Sequence, residues 1–194
     1  MCSSDLEAPA AVDLAAVRAR CTAAIAAPQV YESFARMGLD YGPAHRALAA
    51  LQVAAPDGGE VLGRLNLPAE LAAQAGAFWI HPSMLDAALQ TGIGFLLAGG
   101  EGALPSGPAL PFHLKSIDLL APCPASGWAW ARRVASDTAT QTLDIDVCDD
   151  DGRICLRLHG FASRTLAEPA ARPAVEHDVL LAPAWAPAPV PTAA

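Results

Sequence analysis

The chain has 194 residues, with 12 Lys and Arg against 20 Asp and Glu, and its net charge of −8 argues against a surface built for nucleic-acid phosphates. With 53% hydrophobic residues and a mean hydropathy of +0.31 it lies far from the disordered class, and its length suits one domain with tails. The longest apolar stretch, Met84 to Ala98, contains Asp86, Gln90 and Thr91 and falls short of the ~20 apolar residues of a membrane span. No basic-then-apolar leader opens the chain, so a cytoplasmic protein with no membrane attachment is expected. The five cysteines, Cys2, Cys21, Cys123, Cys148 and Cys155, show no paired metal-ligand spacing. With no Gly-rich phosphate loop and no His/Glu constellation, neither a metal nor a bound cofactor is expected.

Residues 1 to 27 read as a tail, Met1 to about Ala11, followed by a short helix from Asp13 to Ala26 with Asp13 as its N-cap. Tyr31 to Met37 predicts a second short helix closed by Gly38. After the turn Tyr41-Gly42-Pro43, Arg46 to Ala54 and Glu60 to Leu67 predict a hairpin across Pro56-Asp57-Gly58-Gly59. An apolar helix follows from about Pro82 to Ala98, ended by Gly99-Gly100. Beyond it come strands at Leu114 to Leu120 and Trp128 to Ala135. Two more alternate in period two: Leu143, Ile145 and Val147, then Ile154, Leu156 and Leu158, joined by Asp150-Asp151-Gly152. Cys148 and Cys155 flank that turn and are expected as buried, reduced thiols able to face each other. From about Ala167 to Ala194 the chain is Pro/Ala-rich and reads as a linker.

Period-two strands with one buried face imply an antiparallel sheet. One long apolar helix beside it gives an α+β layer arrangement, a sheet wrapped round a central helix. The helix also carries chemistry. Pro82 suits its first position, yet Asp86 stands on its apolar body with Gln90 one turn later on the same face. A carboxyl enclosed by apolar groups holds its proton to higher pH, which marks a candidate for proton transfer. The competing reading places Asp86 at a solvent-facing helix edge.

The segment His81-Pro82-Ser83-Met84-Leu85-Asp86-Ala87-Ala88-Leu89-Gln90 resembles the His-Pro-x-Leu-Leu-Asp-x-x-Leu-Gln motif of dehydratase domains from modular type I polyketide synthases. Tyr41-Gly42-Pro43 upstream and Leu110-Pro111-Phe112 downstream resemble that family's Tyr-Gly-Pro and Leu-Pro-Phe signatures, in the family's order. Met84 replaces the usual Leu, and His45 stands where Phe is common. The resemblance implies a hotdog fold for residues 28 to 166, specifically the second half of a double hotdog. The first-half signature, His-x-x-x-Gly, is missing: none of His45, His81, His113, His159 and His177 has Gly four positions later. The implied chain is half of an active site.

What the resemblance implies chemically is elimination of water from a 3-hydroxyacyl thioester on the phosphopantetheine arm of an acyl carrier protein. Asp86 would be the general acid and Gln90 its hydrogen-bonding partner. Tyr41, Gly42, Pro43, His81, Pro82, Leu110, Pro111 and Phe112 would line the substrate site. His81 is read as capping the helix rather than as the base, and His113 as a strand-surface residue. The late-strand arginines Arg132, Arg133, Arg153, Arg157 and Arg164 suit either an acidic carrier protein or an ordinary surface ladder. The expected partners are the carrier protein and the missing first half or neighbouring synthase domains, with a homodimer as a further arrangement. Two other classes fit the same residues: an inactive scaffold or acyl-binding hotdog, and another hotdog chemistry such as thioester hydrolysis or product-template cyclisation.

Overall fold

The computed structural model describes residues 11–55, 58–99, 107–136 and 140–165. The expected linker from Ala167 onward, the N-terminal tail up to Ala10 and the Pro56-Asp57 step of the hairpin turn lie outside them.

Eight strands form one sheet. The strands are β1 (Ala23–Ala26), β2 (Leu48–Val53), β3 (Glu60–Asn66), β4 (Ala109–His113), β5 (Ser116–Leu119), β6 (Ser126–Ser136), β7 (Thr140–Cys148) and β8 (Ile154–Thr165). Their order is β1-β2-β3-β6-β7-β8-β4, with β5 also on β8, and every pairing is antiparallel. The β2–β3 hairpin and the β6–β7–β8 meander follow the sequence pattern closely. Val61 and Leu65 of β3, Ala129 and Ala131 of β6, and Leu143, Ile145 and Val147 of β7 face inward onto the central helix. Leu62, Cys148 and Ile154 alternate to the outer face.

The central helix is α3 (Pro82–Gln90) running through a 3-10 turn at Thr91–Ile93 into α4 (Gly94–Leu97). His81 caps it: Nδ1 accepts from the Ser83 N–H at 3.2 Å. Two glycines let it lie close to the sheet. A Cβ on Gly94 would stand 2.6 Å from Val61 Cγ1, and one on Gly92 would stand 2.9 Å from Leu143 Cδ1. This is the hotdog arrangement, a sheet curled round one buried helix.

Helix α2 (Ala27–Arg36) packs Val30, Tyr31 and Phe34 into the same core. It ends as expected at Gly38, whose φ of +86° costs a glycine nothing.

Three expectations need correction. The first helix, α1 (Leu14–Arg20), stops six residues short of Ala26, and Ala23–Ala26 is the edge strand β1. Its alanines carry no helical period of their own, and the open N–H and C=O groups of β2 supply ladder partners. Leu110-Pro111-Phe112, left outside the strands expected from the sequence, lies inside strand β4. The strand sits at the sheet edge, where the missing N–H of Pro111 is tolerated. Lastly, Cys148 and Cys155 do not face each other. Cys148 is registered with Ile154, so the adjacent Cys155 points to the opposite face. There it is disulfide-bonded to Cys123, the Cα atoms 5.4 Å apart. Cys21 and Cys148 are buried free thiols, whereas the disulfide overturns the expectation that Cys155 is reduced. Among the described residues no helix is long and apolar enough to cross a membrane.

Candidate active site

The helical spacing of four brings the Asp86 and Gln90 side chains together on one face of α3. Gln90 Nε2 donates to Asp86 Oδ2 at 2.9 Å and to the His45 carbonyl at 3.1 Å. Its Oε1 accepts from the Tyr31 hydroxyl at 3.1 Å, and that hydroxyl oxygen accepts from the Leu48 N–H at 3.0 Å. All three polar groups of the Gln90 and Tyr31 side chains are therefore engaged, as burial demands: Tyr31 is 8% exposed and Gln90 3%.

Tyr41 is carried in by the bend after α2. Gly42 leads into a 3-10 turn at Pro43–His45, and Arg46 Nε donates to the Tyr41 carbonyl at 2.7 Å, fastening the loop. The Tyr41 ring packs edge-on against Phe34 at 5.0 Å and Tyr31 at 6.0 Å. Burial pushes the Tyr41 phenol up to about 12, with the nearby Asp86 charge and Tyr31 acting in the same direction. Burial likewise pushes Tyr31 up to about 12. Both phenols are neutral hydrogen-bond donors through the physiological range.

Tyr41, Asp86 and Gln90 form the polar end of an apolar cavity walled by Phe34, Leu89, Ile93, Pro111, Leu143 and Phe161. Its volume of ≈ 70 Å³ is well below that of a ligand pocket, typically ~300–1,000 Å³. Gln141 and Ser163, on neighbouring positions of β7 and β8, add two further polar side chains.

Of the residues singled out from the sequence, Tyr41, Asp86, Gln90 and Pro111 meet at this cavity. Gly42, Pro43, Pro82 and Leu110 shape the backbone around it without lining it. His81 is buried at the helix N-terminus, with its ring against Phe78 at 5.2 Å. Phe112 is 67% exposed and walls a second, open groove with Leu85, His113, Leu114 and Ile117. The apolar enclosure expected for Asp86 is not found: its side chain is 32% exposed.

His45, the residue that departs from the expected Phe, places Nδ1 3.4 Å from Asp86 Oδ2 while remaining 53% exposed. It is not among the cavity walls and approaches the carboxyl from outside. Sequence reading missed Tyr31 and Phe34 because their distance along the chain from the helix motif hides their contact with it. The only local signal is the amphipathic pattern of α2, which marks them as core.

A family model described as the polyketide synthase dehydratase N-terminal domain matches residues 9–173. Polyketide synthase PksN of Bacillus subtilis is 35% identical over 157 residues, 80% of this chain and 3% of that protein. Polyketide synthase ThaG of Burkholderia thailandensis is 40% identical over 148 residues, 76% of this chain and 2% of that protein. The crystal structure of a trans-AT PKS dehydratase domain from Brevibacillus brevis aligns with a TM-score of 0.74 and 38% identity. That alignment covers 82% of this chain and 54% of the other. The chain spans a few hundredths of the synthases it matches and about half of the solved dehydratase. Fold, motif order and family match converge: the chain belongs to the polyketide synthase dehydratase domain family.

Proposed function

We propose that this chain supplies the acid-bearing hotdog of a dehydratase, which converts a 3-hydroxyacyl thioester on the phosphopantetheine arm of an acyl carrier protein into the 2-enoyl thioester. The matched family model is described as an N-terminal domain; assignment to the acid-bearing half rests on Asp86 and its motif. The observation that carries the reading is the Asp86–Gln90 pair at the polar end of an apolar cavity, with the Tyr41 phenol beside it. Asp86 gives a proton to the departing hydroxyl, and a base on a complementary hotdog takes the proton from carbon 2. Tyr41, neutral at working pH, is a donor to the same hydroxyl. The partly exposed Asp86 suits a site completed by a second hotdog.

The test joins this chain to a complementary hotdog carrying a His-x-x-x-Gly segment and follows enoyl formation from a 3-hydroxyacyl-pantetheine thioester. Turnover that falls at least about 10²-fold in Asp86→Asn supports the reading. Unchanged turnover in that variant overturns it, and release of the free 3-hydroxy acid would instead favour thioester hydrolysis.

A further inference from the structure

The hydrogen bonds around Gln90 have a direction that geometry alone fixes. A backbone N–H only donates, so the Tyr31 oxygen accepts from Leu48 at 3.0 Å and its own O–H is free to donate onward. It donates to Gln90 Oε1 at 3.1 Å. At the far end, the His45 backbone carbonyl only accepts, and it takes one hydrogen of Gln90 Nε2 at 3.1 Å. Amide oxygen and nitrogen are ordinarily hard to tell apart. Here the His45 end decides it, because the flipped orientation would set Oε1 against a carbonyl oxygen that cannot donate. The second Nε2 hydrogen is thus aimed at Asp86 Oδ2, 2.9 Å away, which must accept.

We infer that Tyr31 is a positioning residue for the acid: by locking the Gln90 amide it keeps Oδ2 of Asp86 an acceptor, so that the transferable proton resides on Oδ1. This rests on the proposed reading of Asp86 as general acid. In the elimination the carbon–oxygen bond at carbon 3 breaks and the hydroxyl leaves as water with the Oδ1 proton. The carbon 2 proton passes to the complementary base, and its electron pair forms the double bond. Once Asp86 is ionised, the Gln90 N–H bond to Oδ2 also stabilises the carboxylate, so the same contact serves both ends of the step. Removing the Tyr31 hydroxyl leaves Gln90 Oε1 and the Leu48 N–H without partners in a buried site. It also frees the amide to rotate about its last torsion.

The experiment uses the dehydratase assembled with its complementary half and compares wild type, Tyr31→Phe, Gln90→Ala, the double variant and Asp86→Asn. Tyr31→Phe is expected to lower kcat about tenfold, the weight of one buried hydrogen bond, with KM unchanged. In the Gln90→Ala background the same change is expected to cost nothing further, because Tyr31 acts only through Gln90. Replacing Tyr31 by 4-aminophenylalanine, which keeps a donor, is expected to restore most of kcat. An unchanged kcat in Tyr31→Phe, or an equal additional loss in the Gln90→Ala background, overturns the inference. Should Tyr31→Phe fail to fold, Gln90→Glu makes the same test: it keeps an acceptor for Tyr31 and removes the donor toward Asp86, and unchanged kcat would again overturn the inference. Full activity in Asp86→Asn overturns the acid reading itself and with it this inference, whereas loss in Asp86→Asn with no effect of Tyr31→Phe overturns the inference alone.

Discussion

Gln90 Nε2 stands 2.9 Å from Asp86 Oδ2, one helical turn along the same face of α3, and this pair is the only side-chain bond the Asp86 carboxyl makes among the described residues besides a 3.4 Å approach to His45 Nδ1. The two contacts leave Asp86 half-exposed, which sets an expectation for its removal. Asp86→Asn keeps an oxygen to accept from Gln90 and gives up only a part-exposed contact with His45. The stability change is expected to stay below about 1 kcal/mol, the range of exposed ion pairs. Dehydration by the assembled enzyme should fall at least about 10²-fold. Urea denaturation beside a turnover assay checks both, and a large stability loss would mean that Asp86 is a structural anion.

The chain contains two tyrosines, Tyr31 and Tyr41, and both sit at the candidate site with phenols pushed up to about 12. Phenolate absorbance therefore reports on the site alone. In the folded state it is expected to stay absent through pH 10, where the unfolded chain is half ionised. The folded state favours the neutral phenol, so this contribution is complete below pH 10 and is lost as pH rises toward 12. For buried Tyr31 that contribution is on the order of 2 kcal/mol. A native titration with a midpoint near 10 would show that the site is open to water.

Close approach of the central helix to the sheet predicts an unusual penalty at Gly94. In a free helix Ala is favoured over Gly by about 1 kcal/mol. Here a Cβ would stand 2.6 Å from Val61 Cγ1, on a residue that is fully buried and cannot swing aside. Overpacking of this kind costs about 1–3 kcal/mol, so Gly94→Ala is expected to be net destabilising. Chemical denaturation decides the sign, and a stabilised variant would mean that the helix is free to lift off the sheet.

The β4–β5 side of the sheet leaves Phe112 67%, Leu119 51%, Leu120 50% and Ile117 44% exposed, side chains large enough to drive association. The chain by itself is expected to self-associate at micromolar concentration and to show negligible dehydratase turnover. Adding a complementary hotdog should relieve the first and restore the second. Light scattering and the enoyl assay test this together; a monodisperse monomer would remove the case for a covering partner.

What the sequence revealed follows from how local each signal is. The spacing of Asp86 and Gln90, the His81-Pro82 helix start and the alternation in β7 and β8 are each set within a few residues, and the structure matches them. Strand β1 was hidden because Ala23–Ala26 is specified only by its pairing with β2. Strand β4 was hidden because Pro111 argues against a strand anywhere but an edge. The Cys123–Cys155 pair depends on residues 32 apart in sequence. The exposure of Asp86 depends on what lies above the helix, which no periodicity within the helix records. Tyr31 is the sharpest case, 59 residues from the amide it holds.

Helix α1 gives the outer face of the sheet its cover. Val12, Leu14, Val17 and Cys21 close over Leu62, Cys148 and Ile154, and the Val12 N–H donates to the Gly152 carbonyl at 2.8 Å, tying this segment to the β7–β8 turn. None of these residues belongs to a recognisable motif. Anyone transplanting this hotdog between synthases would be tempted to splice just ahead of the Tyr41 turn or at Pro28. Either junction would hand the graft a sheet whose back is bare. A seam placed upstream of Val12 carries the module's own lining with it.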